Sequence, residues 1–227
     1  GGMILQCLPD GSINPDWVVA RRGCLGASSI GDILKDGRKK GEPSETRRSL
    51  AKKLAAERWA QMAMDNTSPD NEDIARGMRN EAPALAEYEA IKSVIVRPAA
   101  WLEHPRFPSD AGYGAGATPD AFVGADGLAQ VKSPRPLKMV SLMLDGVVPA
   151  EYVDQMDWEL AVTGRQWNDL VLYNPDLPNG RHIWIRRHYR NDERVAFLEE
   201  QVAAFMEEVD AMFQMLCNTK FFEEETV

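Results

Sequence analysis

Apolar residues recur along this chain in two rhythms, a helical period and a strand alternation, and together they predict an α/β fold. The first 16 residues, punctuated by Pro9, Gly11 and Pro15, read as irregular. Ser28 to Leu34 begins a short helix with Ser28 or Ser29 as its cap, and Asp36 to Ser44 reads as a Gly- and Lys-rich loop. Over about residues 45–64, Leu50, Leu54, Trp59 and Met62 mark an amphipathic helix. A second helix starts near Asn71. Its Pro83 lacks a backbone donor, which predicts a kink or a restart just after Glu81. Val94 to Val96 and the Trp101 region read as strands. Further on come a short helix at Leu137 to Leu144, a better one at Glu151 to Val162, and strands at Leu170 to Tyr173 and His182 to Arg187. Asn191 or Asp192 caps a long final helix, whose stripe of Val195, Leu198, Val202, Phe205, Val209, Met212 and Leu216 reads as core or as a subunit contact.

Composition narrows the class. At 227 residues the chain reads as one domain, 1–227, with Gly1-Gly2 ahead of Met3 as an expression-tag remnant and 218–227 as an acidic tail. No apolar run reaches the length of a membrane span. Cys7, Cys24 and Cys217 are odd in number and far apart, which points to a reducing cytoplasm and away from an iron–sulfur cluster. His104, His182 and His188 lack zinc-ligand spacing, and no Gly-rich phosphate loop implies nucleotide hydrolysis. A net charge of −9 argues against a nucleic-acid partner until its distribution is considered. Glu199, Glu200, Glu207, Glu208 and Asp210 line one helix and Glu223 to Glu225 form a tail, whereas Arg21-Arg22, Arg38-Lys39-Lys40, Arg47-Arg48 and Lys52-Lys53 cluster elsewhere. Such segregation allows a basic channel on an acidic body, although the group from Arg47 to Lys53 reads equally well as a solvated helix face.

The chemistry concentrates between Asp110 and Lys132. Ala121-Phe122-Val123 and Leu128-Ala129-Gln130-Val131 are short apolar runs joined by the turn residues Gly124 to Gly127, a hairpin signal. Asp120 then lies at the start of one strand and Gln130 near the end of its neighbour, while Gln130 and Lys132, two apart, point to one face. A carboxylate, a side-chain oxygen and an ammonium converge there, as a hard divalent cation and a developing phosphate charge require. Alone, such a fragment also reads as two strand-end charges on a solvated face.

Thr118-Pro119-Asp120 followed by Gln130-Val131-Lys132 resembles the signature of the PD-(D/E)XK nucleases, and the chain as a whole resembles one branch, the phage lambda-type exonucleases of the YqaJ-like viral recombinase family. The resemblance runs from Trp17 to the C-terminal helix, through Arg21-Arg22-Gly23, Gly26-Ala27-Ser28, Gly77 to Glu81, Asp110, the two motifs above, and Gln155 with Trp158. It implies a restriction-endonuclease-like core with a mixed central sheet flanked by helices. It further implies a Mg²⁺ site, in which Mn²⁺ substitutes, with Asp120, position 130, the Val131 carbonyl and Glu81 as ligands. Lys132 would orient the attacking water, and Asp110 would act through water or on a second metal. Arg21 and Ser28 match positions that hold a 5′ phosphate, Ile74 a wedge at the terminal base pair, and Gln155 a glutamine beside the active site. Lys138 and Thr118 would also contact DNA. Trp17 packs over the pocket or serves as a core aromatic, and Glu81 equally suits an exposed face near Arg79.

The implied activity is processive, ATP-independent 5′→3′ digestion of double-stranded DNA ends, with release of 5′ mononucleotides and a 3′ overhang for recombination. The implied assembly is a homotrimeric ring working with a single-strand annealing protein in a bacterial cytoplasm, encoded by a phage or prophage. A structure-specific endonuclease and a non-catalytic end-binding subunit are the alternatives. One departure bears on all of them: the family pattern carries Glu or Asp where this chain has Gln130. It is a natural variant or a deliberate exchange, and Gly1-Gly2 favours the second.

Overall fold

The computed structural model describes residues 4–64, 71–98, 100–107 and 113–220. Its centre is a five-stranded mixed sheet of order β2-β5-β6-β7-β8, built from Val96–Pro98, Ala121–Val123, Gly127–Lys132, Trp167–Tyr173 and Ile183–Tyr189. Only β6 and β7 run parallel, so the chain must cross over between them. It does so through α5 (Pro136–Asp145) and α6 (Ala150–Thr163). A smaller antiparallel sheet joins β1 (Ile4–Leu5), β3 (Ala100–Glu103) and β4 (Gly116–Ala117). The N-terminal stretch is therefore partly ordered: β1 pairs with Trp101, and Pro15 opens helix α1 (Pro15–Arg21).

Strand alternation sorts the core into two layers. Ala121, Val123, Ala129, Val131, Val171 and Tyr173 face helix α4 (Glu72–Lys92) through Ala84 and Tyr88. On the other face Phe122 and Leu128 pack on Leu160, and Leu170 and Leu172 on Met139 and Met156 of the crossover helices. Helices α2 (Ile30–Ile33), α3 (Glu45–Ala60) and α7 (Asp192–Asn218) build a further cluster around Trp158, with Val195, Leu198, Val202, Phe205 and Val209 buried. The stripe read from the sequence is therefore core.

Four expectations need correction. Helix α4 runs unbroken through Pro83, because Ala84 and Tyr88 dock on the sheet just beyond it while the proline itself is exposed. On α3 the buried face is Arg47, Ala51, Leu54, Ala55, Glu57 and Arg58, whereas Trp59 and Met62 are exposed. Neither Ser28 nor Ser29 caps a helix through its side chain; both lie in a single 3₁₀ turn, Ala27–Ser29, that feeds α2. Charge is less segregated than the sequence suggests. The Arg47 guanidinium pairs with Glu208 at 2.6 Å and Arg58 with Asp210 at 2.6 Å, so these cations tie α3 to the acidic helix and leave the basic surface.

Candidate active site

The hairpin places its two motifs side by side. Ala121 pairs with Ala129, which brings Asp120 opposite Gln130, and Asp120 Oδ2 accepts a 2.7 Å hydrogen bond from the Val131 amide. Gln130 is buried, and its Oε1 has no hydrogen-bond partner. An orphaned buried acceptor costs about 1–3 kcal/mol, which a cation or a donor at this oxygen would offset. Lys132 lies on the same strand face, its Nζ donating to Gln155 Oε1 at 2.7 Å.

Helix α4 supplies a further carboxylate. Asn71 caps it by accepting from the amides of Asp73 and Ile74. One turn on, Arg76 donates to the Ser133 carbonyl at 2.9 Å and Asn80 to the Ser133 hydroxyl at 2.8 Å, clamping the helix to the chain just after Lys132. Glu81 thereby faces Asp120. Burial, with the Asp120 charge added, pushes the Glu81 carboxyl up to about 7. Asp120 is pushed up to about 6 by burial, opposed by the Val131 amide and the Lys132 charge. Carboxyls crowded in this way take up a cation readily, since it removes the repulsion between them.

These groups line a cleft of about 640 Å³. Ser28, Ile74, Glu81, Asp120, Gln130, Val131, Lys132 and Lys138 all open onto it. Gly77 sits one turn before Glu81 with open space where a side chain would project. Several lining residues were missed in the sequence, among them Arg76, Arg135, Ser133 and Tyr152. Tyr152 lies under both ammonium groups, 5.3 Å from Lys132 Nζ and 5.7 Å from Lys138 Nζ. Asp73 holds Arg76 and Arg135 at 2.8 Å each on the rim. None has a motif; for Arg76 the signal was its spacing of four from Asn80 on α4.

Other expected residues fall outside the cleft. Trp17 is buried with Cys24 and Trp101, and its indole N–H donates to Thr118 Oγ1 at 3.0 Å. It is a core aromatic that also pins the loop carrying Asp120, and Thr118 is its acceptor. Arg21 stacks on that indole at 4.2 Å and lines a small cavity with Gly26 and Ser29, the neighbour of Ser28 in the chain. Asp110 lies outside the described residues. Each histidine pairs with a carboxylate: His104 with Glu199, His182 with Glu87, His188 with Asp157. Among the described residues no three His, Cys, Asp or Glu side chains are grouped to hold a metal. With an amide at position 130, the donors that do converge are Glu81, Asp120, the free Gln130 oxygen and the Val131 carbonyl, an all-oxygen set suited to Mg²⁺.

This sheet, with a Pro-Asp turn beside an x-Lys strand end at one cleft, defines a deoxyribonuclease with a PD-(D/E)XK core. The chain belongs to the family described as the YqaJ-like viral recombinase domain, whose pattern matches residues 16–166. It is similar to the crystal structure of an alkaline exonuclease (LHK-Exo) from Laribacter hongkongensis, with 29% identity and a TM-score of 0.78 over 90% of this chain and 96% of that one. The complex of LHK-Exo with dAMP gives 30% identity and a TM-score of 0.79 over 89% and 96%. A phage related exonuclease from Haemophilus somnus 129PT shares the fold at 14% identity, with a TM-score of 0.62 over 85% and 96%. No curated protein matches.

Proposed function

We propose that this protein is a magnesium-dependent exonuclease that digests double-stranded DNA 5′→3′, releases 5′ mononucleotides and leaves a 3′ overhang. The observation that carries this reading is the convergence of Glu81, Asp120, Gln130 and Lys132 on one open cleft with a basic rim. Family membership and the dAMP held by the Laribacter enzyme support it.

Asp120, Gln130 Oε1 and the Val131 carbonyl would hold the ion, with Glu81 and Asp110 acting through water. A bound Mg²⁺ would acidify a water and neutralise charge on the phosphate. Lys132, held by Gln155, steadies the water and offsets the negative charge that grows on the phosphoryl oxygens. Lys138, Arg76 and Arg135 attract the backbone, Ile74 sits at the helix start where a terminal pair would meet it, and Ser28 with Arg21 would receive the 5′ phosphate. We further propose a homotrimeric ring in a bacterial cytoplasm, working beside a single-strand annealing protein. Such a ring would keep hold of DNA without ATP.

Linear duplex with a 5′ phosphate, labelled at either end, tested beside closed circular DNA with Mg²⁺, decides the matter. Labelled mononucleotide from the 5′ end and an intact circle are expected; cutting of the circle overturns the exonuclease reading. Gln130 favours a second reading, a DNA-end-binding subunit without turnover. Under that reading a gel shift on 5′-phosphorylated duplex persists while the Gln130→Glu chain releases nothing.

A further inference from the structure

Behind Lys132 lie two buried side chains that the steps above do not use. Glu159 sits on α6 one turn after Gln155, and Asn168 on β7; both are 0% exposed. Lys132 Nζ donates to Gln155 Oε1 at 2.7 Å, Gln155 Nε2 donates to Glu159 Oε1 at 3.2 Å, and Asn168 Nδ2 donates to Glu159 Oε2 at 2.7 Å. The chemistry of this row gives it a direction. Lysine only donates, a carboxylate only accepts once it is ionised, which for Glu159 means above about pH 8, and a glutamine amide has nearly the same shape either way round. Shape alone therefore does not orient Gln155. A flip would set its NH₂ against the ammonium.

Glu159 is an expensive residue to bury. Burial, then the Asp120 charge, pushes its carboxyl up to about 8, against the pull of Asn168, Lys132 and Gln155. Two amides rather than a cation occupy its oxygens, so the carboxylate does not repay its desolvation as a contact ion pair would. Its position makes sense as the fixed end of a line that runs to Lys132.

We propose that Glu159 is a positioning residue: seated by Asn168, it fixes the Gln155 amide so that its oxygen, and with it the Lys132 ammonium, is held in place for the reacting phosphate. The arrangement stands on geometry; its kinetic consequence rests on the nuclease reading. In the full chain carrying Gln130→Glu, Glu159→Leu lowers kcat by about 10- to 100-fold with KM for duplex ends unchanged. Adding Gln155→Leu then costs nothing beyond the Gln155→Leu loss, because Glu159 acts through Gln155. An unchanged kcat, or losses that multiply in the double variant, would overturn the proposal.

A second measurement needs neither a variant that could misfold nor turnover. In the unmodified chain at pH 9, NMR should find the side-chain amide protons of Gln155 protected from solvent exchange. Fast exchange overturns the positioning role. Protection in a chain that leaves DNA intact with either residue at position 130 upholds the arrangement, in which Glu159 fixes Gln155 and Lys132, and removes the nuclease reading instead.

Discussion

A neutral amide at position 130 would set the strength of the proposed metal site. It offers an oxygen but no charge, in a place where Asp120 and Glu81 already bear the cost of burial. Gln130→Glu adds a charge next to a doubly charged ion, so that variant should need less Mg²⁺ and turn over at least as fast as the unmodified chain. Equal Mg²⁺-dependent turnover by both would show that the acid there is dispensable. The buried carboxyls also give stability a definite dependence on pH. Glu81, Asp120 and Glu159 rise from 4.5, 3.8 and 4.5 to about 7, 6 and 8, so the folded chain holds protons that the unfolded chain has lost. Stability of the metal-free protein therefore falls as pH rises across that window. Glu159→Gln should match the unmodified chain near pH 4 and gain on it up to about pH 8, by on the order of a few kcal/mol. Thermal melts at pH 4 and pH 9 check this; an equal difference at both would refute the burial argument. Asp120, Gln130 and Lys132 were legible because strand period and a hairpin turn fix their relation within 13 residues. Tyr152, Arg76 and Glu159 were not, because packing between elements far apart in sequence brings the first two to the cleft and seats Glu159 behind Lys132.

Helix α4, the Pro-Asp loop and the α3–α7 seam each show what sequence pattern can and cannot fix. Pro83 reads as a helix breaker, yet tertiary docking of Ala84 and Tyr88 carries the helix past it. That lost backbone bond is still a cost, so Pro83→Ala should stabilise the protein by about 1–3 kcal/mol in urea unfolding. A loss would mean that the proline shapes the Glu81 turn. The α3 stripe was misread because its inner face is partly ionic. Gly23 explains why: with φ at +70° and Arg58 Cγ 2.6 Å from where a Cβ would sit, it leaves room for the arginine to lie inside. Its amide donates to Glu57, and its carbonyl accepts from Arg58. Periodicity of apolar residues cannot report a charged core face. Arg58→Ala should cost about 3–5 kcal/mol, measured by the same unfolding, since it strips a buried cation from Gly23, Asp210 and Tyr113 together.

Across the whole molecule, the excess of acid is reconciled with a DNA partner by pairing rather than by simple separation. Arg47, Arg58, Arg106 and His104 engage the carboxylates of α7, while Lys132, Lys138, Arg76 and Arg135 line the cleft. Phosphate contacts release counterions, so Lys138→Ala should weaken duplex binding and reduce the slope of log affinity against log salt by about one. Arg47→Ala should leave that slope unchanged, and salt titrations of both variants in Ca²⁺ make the comparison. No described helix is long and apolar enough to cross a membrane. The account stands or falls on a cation reaching the cleft beside DNA. A crystal of the full chain grown with 5′-phosphorylated duplex and soaked in Mn²⁺ measures this directly through anomalous scattering. The account predicts a peak within coordination distance of Asp120, Gln130 Oε1 and the Val131 carbonyl, with the 5′-terminal strand entering past Lys132. Duplex bound elsewhere, with no manganese peak in the cleft, would contradict it.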